Sequence, residues 1–409
     1  MSTAIQSPSA GATQPPQAAS PLARKRRFGR LRYLGTRLVR LVSIIFGVTL
    51  VSFFLLKMTP GDPAATALGP DATQEQLDAM RAELGLNKPI WQQYTDWLGG
   101  ILRGDFGETL IAPRRSVAGD LADRLPVTIE LGVLAILVSL LVAVPLGVWS
   151  AHRRETTFDR VTSTLLYAVV SIPSFVAALL LIQIFVFNPE LARNAALVVA
   201  IVAVAYAAMS WLRSRGSKRH SSGPGTPDSA TPLLIGSLVV AAVCVAIYLL
   251  LPAFPRQGFV PLSESIGGNL KGVFLPVFTL VLVDIAIFTR LLRSDMATEL
   301  MKPYVLASRA RGMGTGHVLV TEALRPSLFS LITVVGLSIG QLIGGTIIVE
   351  SIFRLPGVGS MLTTGVRGGD YPVVQACIFV IATAYVLINA IVDLSYAFLD
   401  SRVKQGRAR

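Results

Sequence analysis

Long apolar runs divided by short charged segments dominate this chain. A helix needs about 20 mostly apolar residues to cross the hydrocarbon core of a bilayer. Eight stretches approach that length: 38–56, 131–151, 161–187, 195–212, 233–251, 273–289, 328–349 and 373–397. They predict an all-α integral membrane protein. The fourth and fifth look like an inserted hairpin, joined by 213–232, which has the Gly, Ser, Pro and basic content of a flexible linker. The hairpin has no strongly polar face, so it is expected on the outside of the other spans. Pro145 and Pro173 are expected to kink theirs, because proline removes a helical donor.

The segments between the runs carry their own signals. Residues 1–30 are rich in Ser, Ala, Pro and Gln and then basic at Arg24, Lys25, Arg26 and Arg27. No apolar core or cleavage site of a signal peptide adjoins them, so they read as a disordered tail, followed by a first transmembrane helix over 31–58. Residues 59–125 read as a helical loop holding two surface helices. Thr73 and Gln76 have the form of a capping box, with Gly85 as the stop. Pro89 opens the second helix, which places Ile90, Tyr94, Trp97, Leu98 and Ile101 on one face. Trp and Tyr there suit a membrane–water interface.

Composition agrees with a lipid environment. The chain is 52% hydrophobic and 15% charged, with a mean hydropathy of +0.60; soluble domains carry about 25% charged residues. The formal net charge of +13 would suit nucleic acid if it covered a folded surface. It is confined to particular flanks instead. Arg27, Arg30, Arg32, Arg37 and Arg40 precede the first span, and Arg153, Arg154 and Arg160 follow the second. Arg213, Arg215, Lys218 and Arg219 follow the fourth, Arg290, Arg293, Lys302, Arg309, Arg311 and Arg325 the sixth, and Arg402, Lys404, Arg407 and Arg409 the last. By the positive-inside rule these are all cytoplasmic, both termini included, and 59–125 is extracytoplasmic. Cys244 and Cys377 lie in apolar runs and read as packing residues. His152, His220 and His317 fit no metal-ligand spacing.

The segment 292–327 is the most informative. A short helix from Tyr304 is expected to break at Gly312 and Gly314, with a second helix entering the membrane near Pro326. Small residues Ala307, Ser308 and Ala310 would let another surface approach closely. Either this is a compact cytoplasmic knob for docking a partner, or it is an ordinary basic connection.

This segment resembles the coupling motif of bacterial ABC importer permeases. With Gly312 on the motif's glycine, Leu306, Ala307 and Ser308 fall on its first triplet and Leu324 on its leucine. Glu322 stands where Ile is usual, Pro326 is one place late and the leading Glu is absent. Tyr304, Val305, Ala310 and Gly312 match the form of the peptide-importer branch. Further stretches resemble the same branch, among them Pro60-Gly-Asp-Pro63, Gly104-Asp-Phe-Gly107, Ser171-Ile-Pro-Ser-Phe175, Glu350-Ser-Ile-Phe-Arg-Leu-Pro-Gly-Val-Gly359 and Asp370-Tyr-Pro372. The resemblance is to the B-type permease subunit of dipeptide/oligopeptide ABC importers, the binding-protein-dependent inner-membrane component. It covers about 31–402, with 189–255 unmatched.

The resemblance implies a type I ABC importer permease bundle: six core transmembrane helices, with the core over 126–402, plus the inserted two-helix hairpin. It implies half of a translocation pathway for di- or oligopeptides or a related small solute, in a bacterial inner membrane. The implied partners are a second permease in a heterodimer, two ATPase subunits and an extracytoplasmic solute-binding protein. The chain itself would be non-catalytic and bind no cofactor or metal; ATP and Mg would sit on the ATPases. The implied coupling residues are Tyr304, Ala307, Ser308, Ala310, Gly312, Gly314, Glu322, Leu324 and Pro326.

Polar groups inside spans are functional candidates, because a mid-span charge costs about 2.5–3.5 kcal/mol to insert. Asp284 is expected to line the pathway or to form a structural pair, with Arg290 as one option. Gln341 sits within the series Gly336, Gly340, Gly344, which favours close helix packing at a permease interface. Other classes fit less well. A stand-alone secondary transporter would show inverted repeats and broken midplane helices. An intramembrane enzyme would need paired catalytic groups, and no phosphate-binding Gly-rich motif is present. Within the importer class, a nickel chelate or glutathione is the alternative solute.

Overall fold

The computed structural model describes residues 21–58, 61–217 and 258–399, with 241, 242, 245, 248 and 254 between them. Regular structure among them is helical, apart from one bridge between Glu108 and Ser116. Most of the expected fifth span, 233–251, most of the linker and the C-terminal tail from 403 lie outside the described residues, as does Cys244.

α1 (Pro21–Met58) begins ten residues inside the stretch expected to be a disordered tail. Proline suits a first helical position, and Arg and Lys are good helix formers, so nothing in 22–30 stops a helix that continues into the span. The loop that follows holds three helices, not two: α2 (Pro63–Leu68), α3 (Gln74–Glu83) and α4 (Ile90–Leu102). The unexpected one starts where the Asp62 side chain accepts from the Ala64 N–H and Pro63 takes a first-turn position. The Thr73–Gln76 capping box is present, and Gly85 ends α3 with φ +66°. The aromatic face of α4 packs on α1 itself. Tyr94 is buried between Phe46 and Phe53, and its hydroxyl lies 3.0 Å from the Thr49 hydroxyl.

Six further helices complete the bundle and its insertion up to the coupling segment: α5 (Val117–His152), α6 (Thr157–Val170), α7 (Ser174–Ile182, extended by a π-helical turn, Gln183–Phe187), α8 (Pro189–Ser217), α9 (Ile266–Glu299) and α10 (Pro303–Ala310). A helical turn at Thr315–His317 and a π-helical stretch, Val318–Leu324, lead into α11 (Arg325–Phe353); α12 (Val358–Gly368) and α13 (Tyr371–Leu399) follow. Among the described residues six helices are long and apolar enough to cross a membrane: Leu38–Met58, Val117–His152, Pro189–Met209, Ile266–Glu299, Thr315–Phe353 and Tyr371–Val392.

The expected span 161–187 is instead a pair of helices, α6 and α7, meeting at 98°. Proline drives the residue before it out of the helical region, so α6 stops ahead of Ile172-Pro173. The Ser171 hydroxyl closes that end by donating to the Tyr167 carbonyl at 2.9 Å. Pro145 has no such effect: α5 runs through Pro126 and Pro145 unbroken. Small residues on both sides of Pro145, Ala143 and Gly147, pack against α9, which supports the helix where one bond is lost.

α9 is the centre of the bundle, with 61% of its apolar window buried against 11% for α1. Its main partner is α5. Leu131, Ala135, Ser139, Ala143 and Gly147, four apart, form the buried stripe of α5. Val277, Val281, Phe288, Leu292 and Met296 of α9 fill the same two core clusters. A Cβ on Gly147 would come within 3.0 Å of Leu292, so the glycine sets the closeness of this contact. Truncating Leu292 to Ala should cost about 2–5 kcal/mol. Among the described residues α8 meets mainly the π-helical turn ahead of it; Ala192, Ala196, Ala200 and Ala207 are buried while Val198, Ile201 and Val202 are exposed. Phe185 meets Phe254 edge-on, and the rings of Phe254, Phe274 and Phe278 stack in succession, which ties this region to α9.

Candidate functional site

The segment 292–327 is shorter as a loop than expected. α9 continues to Glu299, so Arg290 and Arg293 are helical. Neither is a free cation for a partner. Arg293 clamps the buried Asp159 of α6 with two guanidinium nitrogens, one at 2.6 Å. Arg290 lies over the Tyr167 ring at 4.6 Å, which replaces the expected pairing with Asp284.

α10 starts with Pro303 in its first turn and ends at Arg311. It seats Val305 and Ser308, both buried, against the bundle and exposes Leu306, Ala307, Arg309 and Ala310. Ser308 is therefore not part of an outward small-residue surface; its Oγ accepts from Arg311. Gly312 takes φ +81° with open space around it, so its need for glycine is conformational. Gly314 has φ −62°, which any residue adopts, and no neighbour within 4 Å; the change of direction rests on Gly312 alone.

One residue ties α10 to both long helices beside it. The Tyr304 hydroxyl lies 2.7 Å from Glu299 Oε2 at the end of α9 and 3.1 Å from the Glu322 carbonyl oxygen ahead of α11. Its one proton is shared between them. Pro326, four residues beyond Glu322, has no N–H to offer that carbonyl, and the tyrosine hydroxyl reaches it from α10. Desolvation of the hydroxyl and the adjacent Glu299 push Tyr304 up to about 12. Lys302 reaches Glu299 Oε1 at 2.6 Å. Glu322 thus contributes its backbone, while Leu324 packs with the α5–α9 core. The second helix begins beyond Gly314 and passes Pro326 without a break: Thr315–Phe353 is one helical run, widened by the π-helical stretch.

The intramembrane candidates separate. Asp284 is buried inside the bundle and faces Ser338 of α11; its Oδ2 has no hydrogen-bond partner among the described residues. The glycine series splits by face. A Cβ at Gly336 would overlap Val392, and one at Gly340 would come within 2.6 Å of Tyr385, so both serve contact with α13 of the same chain rather than an interface between permeases. Gly344 has nothing within 4 Å. It lies with Leu337, Gln341 and Ile348 on an exposed stripe of α11.

At the opposite end from α10 the structure reveals a carboxylate that sequence reasoning had only as part of a motif. Glu350 is fully buried. It accepts from Thr128 Oγ1 of α5 at 2.8 Å, from the Ser360 N–H at 3.0 Å and from the Gly359 N–H. Thr128 in turn accepts from the Val358 N–H at 2.9 Å. The first N–H groups of α12 thus wrap the Glu350 carboxyl oxygens at the N-terminus of that helix. A Cβ on Gly357 would overlap the carboxylate, and one on Gly359 would lie 2.9 Å from Oε2. Asp370 caps α13 similarly, accepting from Leu110 and Val373 N–H groups; burial holds its carboxyl above the usual range.

Comparison with known proteins agrees with this layout. Residues 225–405 match the family described as binding-protein-dependent transport system inner membrane component, and residues 30–132 match its N-terminal counterpart. The chain is 32% identical over 375 residues to the dipeptide transport system permease protein DppB of Alkalihalophilus pseudofirmus, covering 91% of this chain and 99% of that one. It is 31% identical over 385 residues to the di/tripeptide transport system permease protein DppB of Pseudomonas aeruginosa, covering 92% and 100%. It is 29% identical over 372 residues to the probable peptide ABC transporter permease protein y4tP of Sinorhizobium fredii, covering 91% and 99%.

Proposed function

The chain belongs to the family of binding-protein-dependent transport system inner-membrane components, and on that premise we propose that it forms half of the pathway of an ATP-driven importer for di- or oligopeptides. The α10 end faces the cytoplasm in this reading, in line with the basic residues gathered there, and α2 to α4 face outward. The observation that carries it is the build of α10. It is a short, exposed helix whose seat on the bundle is fixed by Val305, Ser308 and the double tie of Tyr304.

Such an element suits rigid-body coupling. Two ATPase subunits bind and hydrolyse ATP with Mg, and one of them docks on Leu306, Ala307 and Ala310. Its movement passes through Tyr304 into the ends of α9 and the run leading to α11. A second permease faces the stripe of Leu337, Gln341, Gly344 and Ile348, where the two chains enclose the route; Gln341 is its one strongly polar member. An extracytoplasmic binding protein delivers the solute. The similarity to dipeptide and di/tripeptide permeases favours peptides over a metal chelate or glutathione. Reconstitution with those subunits tests it: ATP-dependent uptake of a labelled dipeptide is expected, and uptake independent of ATP would contradict it.

A further inference from the structure

A cleft of about 350 Å³ opens between α1, α4 and the start of α13, away from the α11 stripe. Phe53, Trp97, Phe106 and Tyr371 form its walls. Several charged groups line it, and all but one are matched. Lys88 holds Asp96 at 2.7 Å, Arg114 holds Glu83 at 3.0 Å, and Asp105 accepts from the Gly107 N–H at 2.9 Å.

The exception is Lys57, in the last turn of α1. Its ammonium has no carboxylate within 4.0 Å among the described residues and lies 5.8 Å from the centre of the Phe53 ring. Facing the same cleft is Gln375 of α13, 7% exposed and without a hydrogen bond among the described residues. A half-buried ammonium and the carboxamide of a buried glutamine, neither with a protein partner among the described residues, thus line one cleft. Together they offer donors beside apolar walls, the arrangement of a small-molecule site.

We propose that this cleft binds a small carboxylate bearing an apolar or aromatic group, with Lys57 neutralising the charge and Gln375 donating to the second oxygen. Phe53 and Trp97 enclose the apolar group. The site lies apart from the translocation route and does not depend on which solute crosses.

The test uses the full chain, with its accompanying subunits, in phosphatidylcholine nanodiscs. Tryptophan fluorescence is titrated with N-acetylphenylalanine and with its uncharged amide, and the signal is read as the difference from Trp97→Phe. A saturable response to the acid is expected, with at least tenfold weaker binding of the amide. Lys57→Gln should weaken the acid at least tenfold, while Lys57→Arg, which keeps the charge and guards against a folding defect, should retain it within about threefold. Gln375→Leu should weaken it severalfold. No response, equal responses to acid and amide, or loss of the response when phosphatidylglycerol replaces phosphatidylcholine would overturn the proposal; in the last case a lipid headgroup is the occupant.

Discussion

The Tyr304 hydroxyl stands 3.1 Å from the Glu322 carbonyl oxygen, four residues ahead of Pro326, which has no N–H to give it. Two positions of the coupling pattern, 18 residues apart, thus meet through one hydrogen bond. Tyr304→Phe should lower coupled transport by two- to tenfold, corresponding to a net bond of about 0.5–1.5 kcal/mol. Pro326→Ala restores an N–H, so the double variant should lose less than the two single losses combined. Uptake per ATP hydrolysed, measured across the cycle, checks this.

Because Tyr304 is pushed up to about 12 from an ordinary value of 10.0, it stays a donor at physiological pH. Its proton is held more tightly folded than unfolded, so its contribution is complete below pH 10 and is lost as pH rises through about 12. The phenolate difference spectrum between wild type and Tyr304→Phe should show its titration there.

Gly312→Val forces a β-branched residue to φ +81°, which costs about 1–3 kcal/mol whatever space is free. Membrane insertion should be normal and ATPase recovery in a pull-down reduced. Gly314→Ala, at φ −62°, should be neutral in the same assay.

Glu350→Ala strands the buried N–H groups of Gly359 and Ser360 as well as the Thr128 hydroxyl, at about 1–3 kcal/mol each. Glu350→Gln keeps one acceptor oxygen and should lose less. The thermal unfolding midpoints in detergent should fall in the order wild type, Gln, Ala.

Asp62 ties the start of α2 to Arg81 of α3 at 2.6 Å, and that guanidinium holds its carboxyl below the usual range. The stabilisation is present above the ordinary carboxylate pKa and is lost as pH falls through the lowered one. Amide exchange in α2 and α3 should speed up on acidification, and Asp62→Asn should remove that dependence.

The sequence made some of this legible and hid the rest for identifiable reasons. Apolar runs gave away all six of the long helices among the described residues, and Thr73 with Gln76 gave away a cap, because both signals are local. Helix ends were missed where prolines did different things: Pro173 ends a helix, while Pro126 and Pro145 are carried by packing on α9. Glycine spacing marked Gly336 and Gly340 as contact sites but could not say that α13 of the same chain is their neighbour. Asp284 read as a pathway candidate because its interior position is a property of the bundle. The cradle of Glu350 joins residues 222 positions apart, a relation no local pattern contains.

The central claim is that α10 docks an ATPase. A photo-crosslinking residue placed at exposed Ala307, irradiated in native membranes, tests it most directly. The account predicts an adduct with an ATPase subunit, and none from the same residue at exposed Leu141 of α5. Recovery of a second permease with the chain, but of no ATPase adduct from Ala307, would contradict it.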